Sequence, residues 1–210
     1  HPSNSYIYLY GNMDMEEKLA FLDEHYLSHF DYLDVDSVIQ EQKAFGACQD
    51  VTLEYPVAEN EGEEDNTYLS YNMVVGNAAD SQMAMAFEVL DYALLSAPGA
   101  PLKQALLDVK AGKDVYGSYD DGILQPYFTV IAKGSNPDRK EEFVSVIRQV
   151  LGDIVKNGID RKAVEAGINY FEFRYREADF SSYPKGLMYS LDILGDWLYE
   201  KGNPFAQVQQ

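Results

Sequence analysis

The run Glu59-Asn60-Glu61-Gly62-Glu63-Glu64-Asp65-Asn66 holds five acids in eight positions. A stretch this polar cannot join a core, so it divides the chain into a short leading part and a longer trailing part. It reads as a solvated linker; docking of a basic partner or a cation is the alternative that so dense a charge allows. From Asp31 up to this run the periodicity fades. The exception is Val51 to Val57, a strand-like stretch interrupted at Pro56.

Beyond the linker the pattern is regular. Thr67 to Val75 alternates Tyr68, Ser70, Asn72 and Val74 against Leu69, Tyr71, Met73 and Val75, as a strand with one buried face would. Asp80 can cap a helix whose Met83, Ala86, Phe87, Leu90, Leu94 and Ala97 share a stripe, and Pro98-Gly99 stops it. Pro101 to Val109 suits a second, shorter helix. Lys113 to Tyr119, the Asp120-Asp121-Gly122 turn and Leu124 to Ala132 predict a hairpin.

Three helices should follow. Asn136-Pro137 opens the first, with Phe143, Val144, Ile147, Val150, Leu151, Ile154 and Val155 as its apolar stripe up to Asn157-Gly158. Asp160 caps the next through about Arg176, with Val164, Ile168, Phe171 and Tyr175 on one face. The last runs from about Pro184 to Lys201, with Leu187, Leu191, Leu194 and Leu198 inward, and Gly202-Asn203-Pro204 ends it. Hairpin-linked strands with clustered helices predict an α+β fold, a mostly antiparallel sheet with helices packed on one face.

Ahead of the linker, Ser5 to Tyr10 predicts a buried strand ending at Gly11-Asn12. A helix capped by Asp14 follows, carrying Leu19, Leu22, Tyr26, Leu27 and Phe30. One strand and one helix bury too little surface to offset chain entropy, so this pair must lean on something else. The chain opens His1-Pro2-Ser3-Asn4 with no initiating Met, basic region or apolar signal segment, and we expect a fragment.

Composition narrows the partners. The 210 residues carry 16 Lys plus Arg against 35 Asp plus Glu, a net charge of −19 that repels nucleic acid and anionic membrane surfaces. The 46% hydrophobic content suits a packed core, and no uncharged apolar stretch is long enough to span a bilayer, so a soluble protein is expected. The single cysteine, Cys48, permits no internal disulfide. That fits a reducing compartment, with the cytoplasm expected and an organellar lumen as alternative.

No constellation forms a complete active site. His25 and His29 lie four apart in the first predicted helix, where both rings could reach one metal. The residues between them, Tyr26, Leu27 and Ser28, include no glutamate to act as base, and two polar side chains on an amphipathic surface helix are the favoured reading of the pair. Asp31, Asp34 and Asp36 lack the turn glycine and closing glutamate of a calcium loop. Turn chemistry accounts for Asp120 and Asp121, and Cys48 has no local base to activate it. No nucleophile elbow, phosphate-binding loop or dinucleotide fingerprint occurs. The 17 tyrosines offer flat area for an extended peptide, but strand packing accounts for aromatics more simply. No catalytic, cofactor-binding or metal-ligating residue is therefore assigned.

Several stretches together carry a resemblance. They are Leu94-Leu95-Ser96-Ala97-Pro98-Gly99-Ala100-Pro101-Leu102, Gly122-Ile123-Leu124-Gln125-Pro126-Tyr127-Phe128 and Ala132-Lys133-Gly134. Tyr183-Pro184-Lys185-Gly186-Leu187, Asp196-Trp197-Leu198-Tyr199 and Asn203-Pro204-Phe205 follow in the same order. They resemble the second domain of presequence-protease-like zinc metallopeptidases, the branch of the insulinase and pitrilysin family that includes falcilysin. His1-Pro2-Ser3-Asn4 and Tyr10-Gly11-Asn12 resemble the closing part of that family's first domain. The pattern departs at Lys110-Ala111-Gly112, where a glycine-rich turn is expected.

The resemblance implies four homologous αβ domains closing around a chamber where unfolded peptides are cut. It places zinc in the first domain on an inverted His-x-x-Glu-His motif with a downstream Glu, none of which has a matching position here. It implies that residues 1–40 finish the catalytic domain, 41–66 link, 67–202 form a noncatalytic second αβ domain and 203–210 begin the next linker. The segment should be inactive alone, with unfolded peptides and the other domains of the same polypeptide as partners. The alternative is a scaffold subunit of the same fold without peptidase activity.

Overall fold

A computed structural model describes residues 1–58, 62–177, 180–199 and 205. The chain divides into two compact units, His1–Glu41 with Ala178–Gln210, and Gln42–Glu177.

The larger unit is built on three antiparallel strands, β1 (Thr67–Val74), β2 (Asp114–Asp120) and β3 (Tyr127–Ser135), in the order β1-β3-β2. Register puts Leu69 and Val115 on either side of Ala132, and Tyr71 and Gly117 on either side of Val130. Met73 and Tyr119 flank Phe128 in the same way. These residues form the inner face, and Val115, Val130 and Ala132 are fully buried there. The predicted alternation of β1 and the β2–β3 hairpin are both present.

Helices cover that inner face alone. Asp80 caps α2 (Ser81–Asp91) by accepting from the Met83 amide at 3.0 Å. The helix runs on as a π-turn, Tyr92–Ser96, which buries Ala93, Leu94 and Leu95. Next come α3 (Pro101–Asp108), which buries Leu102 and Leu106, and α4 (Lys140–Asn157), which buries Phe143 and Ile147. Among the described residues, every buried apolar side chain lies between Leu69 and Ile147. Helix α5 (Arg161–Glu177) approaches α2 through Gly167, where an added Cβ would press on Val89 and Tyr92 at 3.2 Å; Tyr170 stacks on Tyr92 at 5.1 Å.

Two turns differ from expectation because of partners distant in sequence. Asn136 does not cap α4, which is entered through a single 3-10 turn, Pro137–Arg139. Its amide instead exchanges hydrogen bonds with Asp65 at 2.7 and 2.9 Å. The acidic linker is therefore fastened to the sheet at its trailing end, while Glu59, Asn60 and Glu61 fall outside the described residues. At Lys110-Ala111-Gly112 the left-handed conformation falls on Lys110 (φ 54°), and a Cβ at Gly112 would meet the Lys133 carbonyl at 2.7 Å. The close approach to β3 fixes that glycine.

The smaller unit contains α1 (Met15–His25), capped by Asp14, and α6 (Lys185–Leu198). Here the strand expected over Ser5–Tyr10 is absent: the segment has no regular structure and is largely exposed. A strand needs a ladder partner, and no described strand pairs with it. Its side chains rest on α6 instead, with Tyr6 against Trp197 at 4.8 Å and the Tyr10 ring closely abutting Gly186. Leu187, Leu191 and Leu198, expected inward, are exposed on α6, whose buried residues are Gly186, Ser190 and Asp196. The expected end at Gly202-Asn203-Pro204 lies outside the described residues. Val51–Val57 likewise forms no strand.

Candidate functional site

Because the helices pack on one face, the opposite face of the sheet is left open. Register places four cross-strand rows on it: Tyr68-Lys133-Asp114, Ser70-Ile131-Tyr116, Asn72-Thr129-Ser118 and Val74-Tyr127-Asp120. Its centre is ordered by hydrogen bonds. Thr129, only 5% exposed, donates to Asn72 Oδ1 at 2.5 Å, and Asn72 donates in turn to Ser70 Oγ at 3.1 Å. At one end Lys133 Nζ sits 5.9 Å from the centre of the Tyr68 ring, which Tyr55 meets edge-on. At the other, Tyr127 donates to Asp120 Oδ2 at 3.1 Å, and this bond raises the phenol pKa by favouring its protonated form. The result is flat aromatic area interleaved with hydroxyl and amide groups, a surface suited to an extended chain.

The hairpin end is acidic. Tyr119 stacks on Phe87 at 5.4 Å, and its pKa is pushed up to about 12 by burial, then by Asp121, Glu88 and Asp80. On α2, Asp91 lies over Gly117, where an added Cβ would overlap Asp91 Oδ1 and Leu95. Asp91 Oδ1 is buried without a hydrogen-bond partner, while Oδ2 accepts from Ser96 at 3.3 Å. Burial raises its pKa, and the Ser96 bond only partly opposes that shift. At the far end, Asp65 is held low by the Asn136 bond first and then by Lys113, and Asp114 is held low chiefly by Lys103.

The residues weighed from sequence are dispersed. His25 ends α1 and His29 ends a separate 3-10 turn, Leu27–His29, with Tyr26 out of helical conformation between them. The pair therefore does not share one helix, and His25 packs against Phe21. Asp31, Asp34 and Asp36 lie in irregular chain, Asp120 and Asp121 flank the hairpin turn, and Cys48 is exposed. Among the described residues no three His, Cys, Asp or Glu side chains gather in a metal-holding group. These residues do not fit a zinc site. Asp91, Asp65 and Thr129 escaped the sequence reading because each owes its environment to a distant partner.

A profile described as the Peptidase M16 inactive domain matches residues 1–171. Protein HypA of Clostridium perfringens is 44% identical over 209 residues, which cover all of this chain and 21% of that protein. Presequence protease 1, chloroplastic/mitochondrial, of Arabidopsis thaliana is 31% identical over all of this chain and 20% of its own length. The chain thus spans about a fifth of these relatives. In fold it is similar to the inactive peptidase domain of a protein described as a zinc protease from Bordetella parapertussis. That likeness has a TM-score of 0.52 at 12% identity, over 65% of this chain and 76% of the other. On the extent of the profile match, this chain belongs to the Peptidase M16 inactive-domain family.

Proposed function

We propose that this chain is a noncatalytic segment of a zinc-dependent metalloendopeptidase that degrades unfolded peptides in a closed chamber, and that its open sheet face forms part of the chamber wall. The observation that carries this reading is the one-sided sheet: helices cover the inner face, and tyrosines and hydroxyls tile the other. In this reading residues 1–40 close the preceding catalytic domain, 41–66 link, 67–202 form the noncatalytic domain and 203–210 begin the next linker. Helix α6 then serves as the ledge for the preceding domain's closing segment, an idea supported by the Tyr6–Trp197 stack and the Tyr10–Gly186 approach. Zinc bound upstream would supply a water of lowered pKa. This segment contributes walls and closing surface. The cytoplasm is the proposed compartment, with an organellar lumen as the alternative.

The test compares zinc content and chelator-sensitive cleavage of an unstructured peptide in the full-length protein and in this segment. Zinc and cleavage in the full-length protein alone are expected. A full-length protein with neither would favour a scaffold subunit. Cleavage by the segment itself would overturn the noncatalytic assignment and reopen the question of His25 and His29.

A further inference from the structure

The two edges of the sheet are defended differently. At one edge, β2 carries Asp114, Gly117 and Asp120, charges and a weak strand former that discourage another strand from pairing. At the other, β1 reads Thr67-Tyr68-Leu69-Ser70-Tyr71-Asn72-Met73-Val74, with no charge, glycine or proline. That composition makes an exposed edge a template for strand addition. The Val75 amide bonds the Pro126 carbonyl at 2.8 Å, so antiparallel alternation turns the backbone groups of Tyr68, Ser70, Asn72 and Val74 toward the free edge.

The segment Gln42–Asp50 is fastened at both ends of this edge. Gln42 exchanges two hydrogen bonds with the Gln125 side chain, amide to Oε1 at 2.6 Å and Nε2 to carbonyl at 3.2 Å. Gln125 adjoins the Pro126–Val75 bond, just past the end of β1. At the other end Asp50 pairs with Lys140, five residues beyond Ser135, which is the register partner of Thr67 at the start of β1. The run from Gln42 to Asp50 bends at Gly46–Ala47; its full reach of roughly 26 Å exceeds the roughly 23 Å that β1 spans, so the strap is long enough to cross the edge. Between its fastenings the strap has no regular structure and holds Phe45 66% exposed.

We propose that Gln42–Asp50 is a strap laid across the outer edge of β1, and that it keeps this edge from pairing with the same edge of a second copy. An uncharged strand pairs antiparallel with itself about a two-fold axis, so a released edge is self-complementary. The strap brings Lys43 and Asp50, the charges the strand lacks. This inference does not depend on the peptidase reading.

Cys48 is the chain's single cysteine and lies within the strap, so a nitroxide placed there reports on the strap alone. The full chain is compared with the Gln125→Ala/Lys140→Ala double variant by nitroxide mobility and by sedimentation over a concentration series. The double variant should free the label and strengthen self-association about tenfold or more. The charge exchange Asp50→Lys/Lys140→Asp should restore both readings. Lys103→Ala, which breaks an ion pair on the β2 side, should change neither. Adding Ser70→Lys to the double variant should abolish the association while leaving the label free. An unchanged label in the double variant overturns the strap. A freed label without association, or association that survives Ser70→Lys, overturns the guarding role.

Discussion

At the residue scale, Asp91 is held at a cost. One carboxylate oxygen is buried without a partner above the notch that Gly117 leaves in β2. Ionisable groups on the elements packed against α2 include Glu88 on α2 itself, Tyr92 on the π-turn, Tyr119 and Asp120 on β2, and Tyr170 and Glu172 on α5. None is a cause of the Asp91 shift, which comes from burial opposed by Ser96. Because the folded pKa is raised, the folded state holds the proton more tightly than the unfolded chain. Stability therefore falls as pH rises from the unfolded value near 3.8 through the raised folded value. Asp91→Asn should flatten that fall and raise the urea midpoint at neutral pH, as read by midpoints taken from pH 4 to 8. Asp65 and Asp114 act with the opposite sign: their lowered pKa values give stability that is lost as pH falls through those folded values. Gly117→Ala drives a methyl into Asp91 and Leu95 and should cost about 1–3 kcal/mol in denaturant unfolding. Neither role could be read from sequence, where Asp91 is one polar residue in a helix and Gly117 an interruption in a strand.

At the scale of elements, period and punctuation carried the inner layer. The alternation of β1, the stripe of α4 from Phe143 to Ile154 and the Asp80 cap depend on neighbours within a few residues and are present, whereas Val155, predicted on that stripe, is 87% exposed at the last turn of the helix. Replacing Asp80 with Ala should cost about 1 kcal/mol by leaving the Met83 amide without its acceptor, measured as a shift in the denaturation midpoint. Phe143→Ala should cost about 3–5 kcal/mol, because its ring is fully buried where α4 meets the core. Ser5–Tyr10 failed as a strand for the complementary reason. Its composition favours an extended chain, but pairing requires a partner that no local pattern supplies. The inward face predicted for α6 failed similarly, since its leucines mark where apolar surface lies but not what covers it.

At the scale of the whole molecule, charge and family membership were legible while the open sheet face was not. The open face follows from the helices of the larger unit choosing one side, a choice no single segment encodes. The net charge of −19, with Asp80, Glu88, Asp120 and Asp121 around the hairpin end, motivates a preference for basic peptides in the full-length protein. Under the proposed peptidase reading, cleavage of basic peptides by the full-length protein should weaken as salt rises, while that of neutral peptides stays level; equal salt dependence would remove the electrostatic preference. No helix among the described residues is long and apolar enough to cross a membrane.

The Tyr6–Trp197 stack has a spectroscopic consequence. Trp197 is the only tryptophan in the chain and lies in the smaller unit, whereas the buried apolar side chains among the described residues lie in the larger one. Tryptophan emission therefore follows a part of the molecule with little core of its own, and far-ultraviolet circular dichroism is weighted toward the sheet and its helices. In a urea titration the emission change should come first and the dichroism change later, two midpoints from one polypeptide.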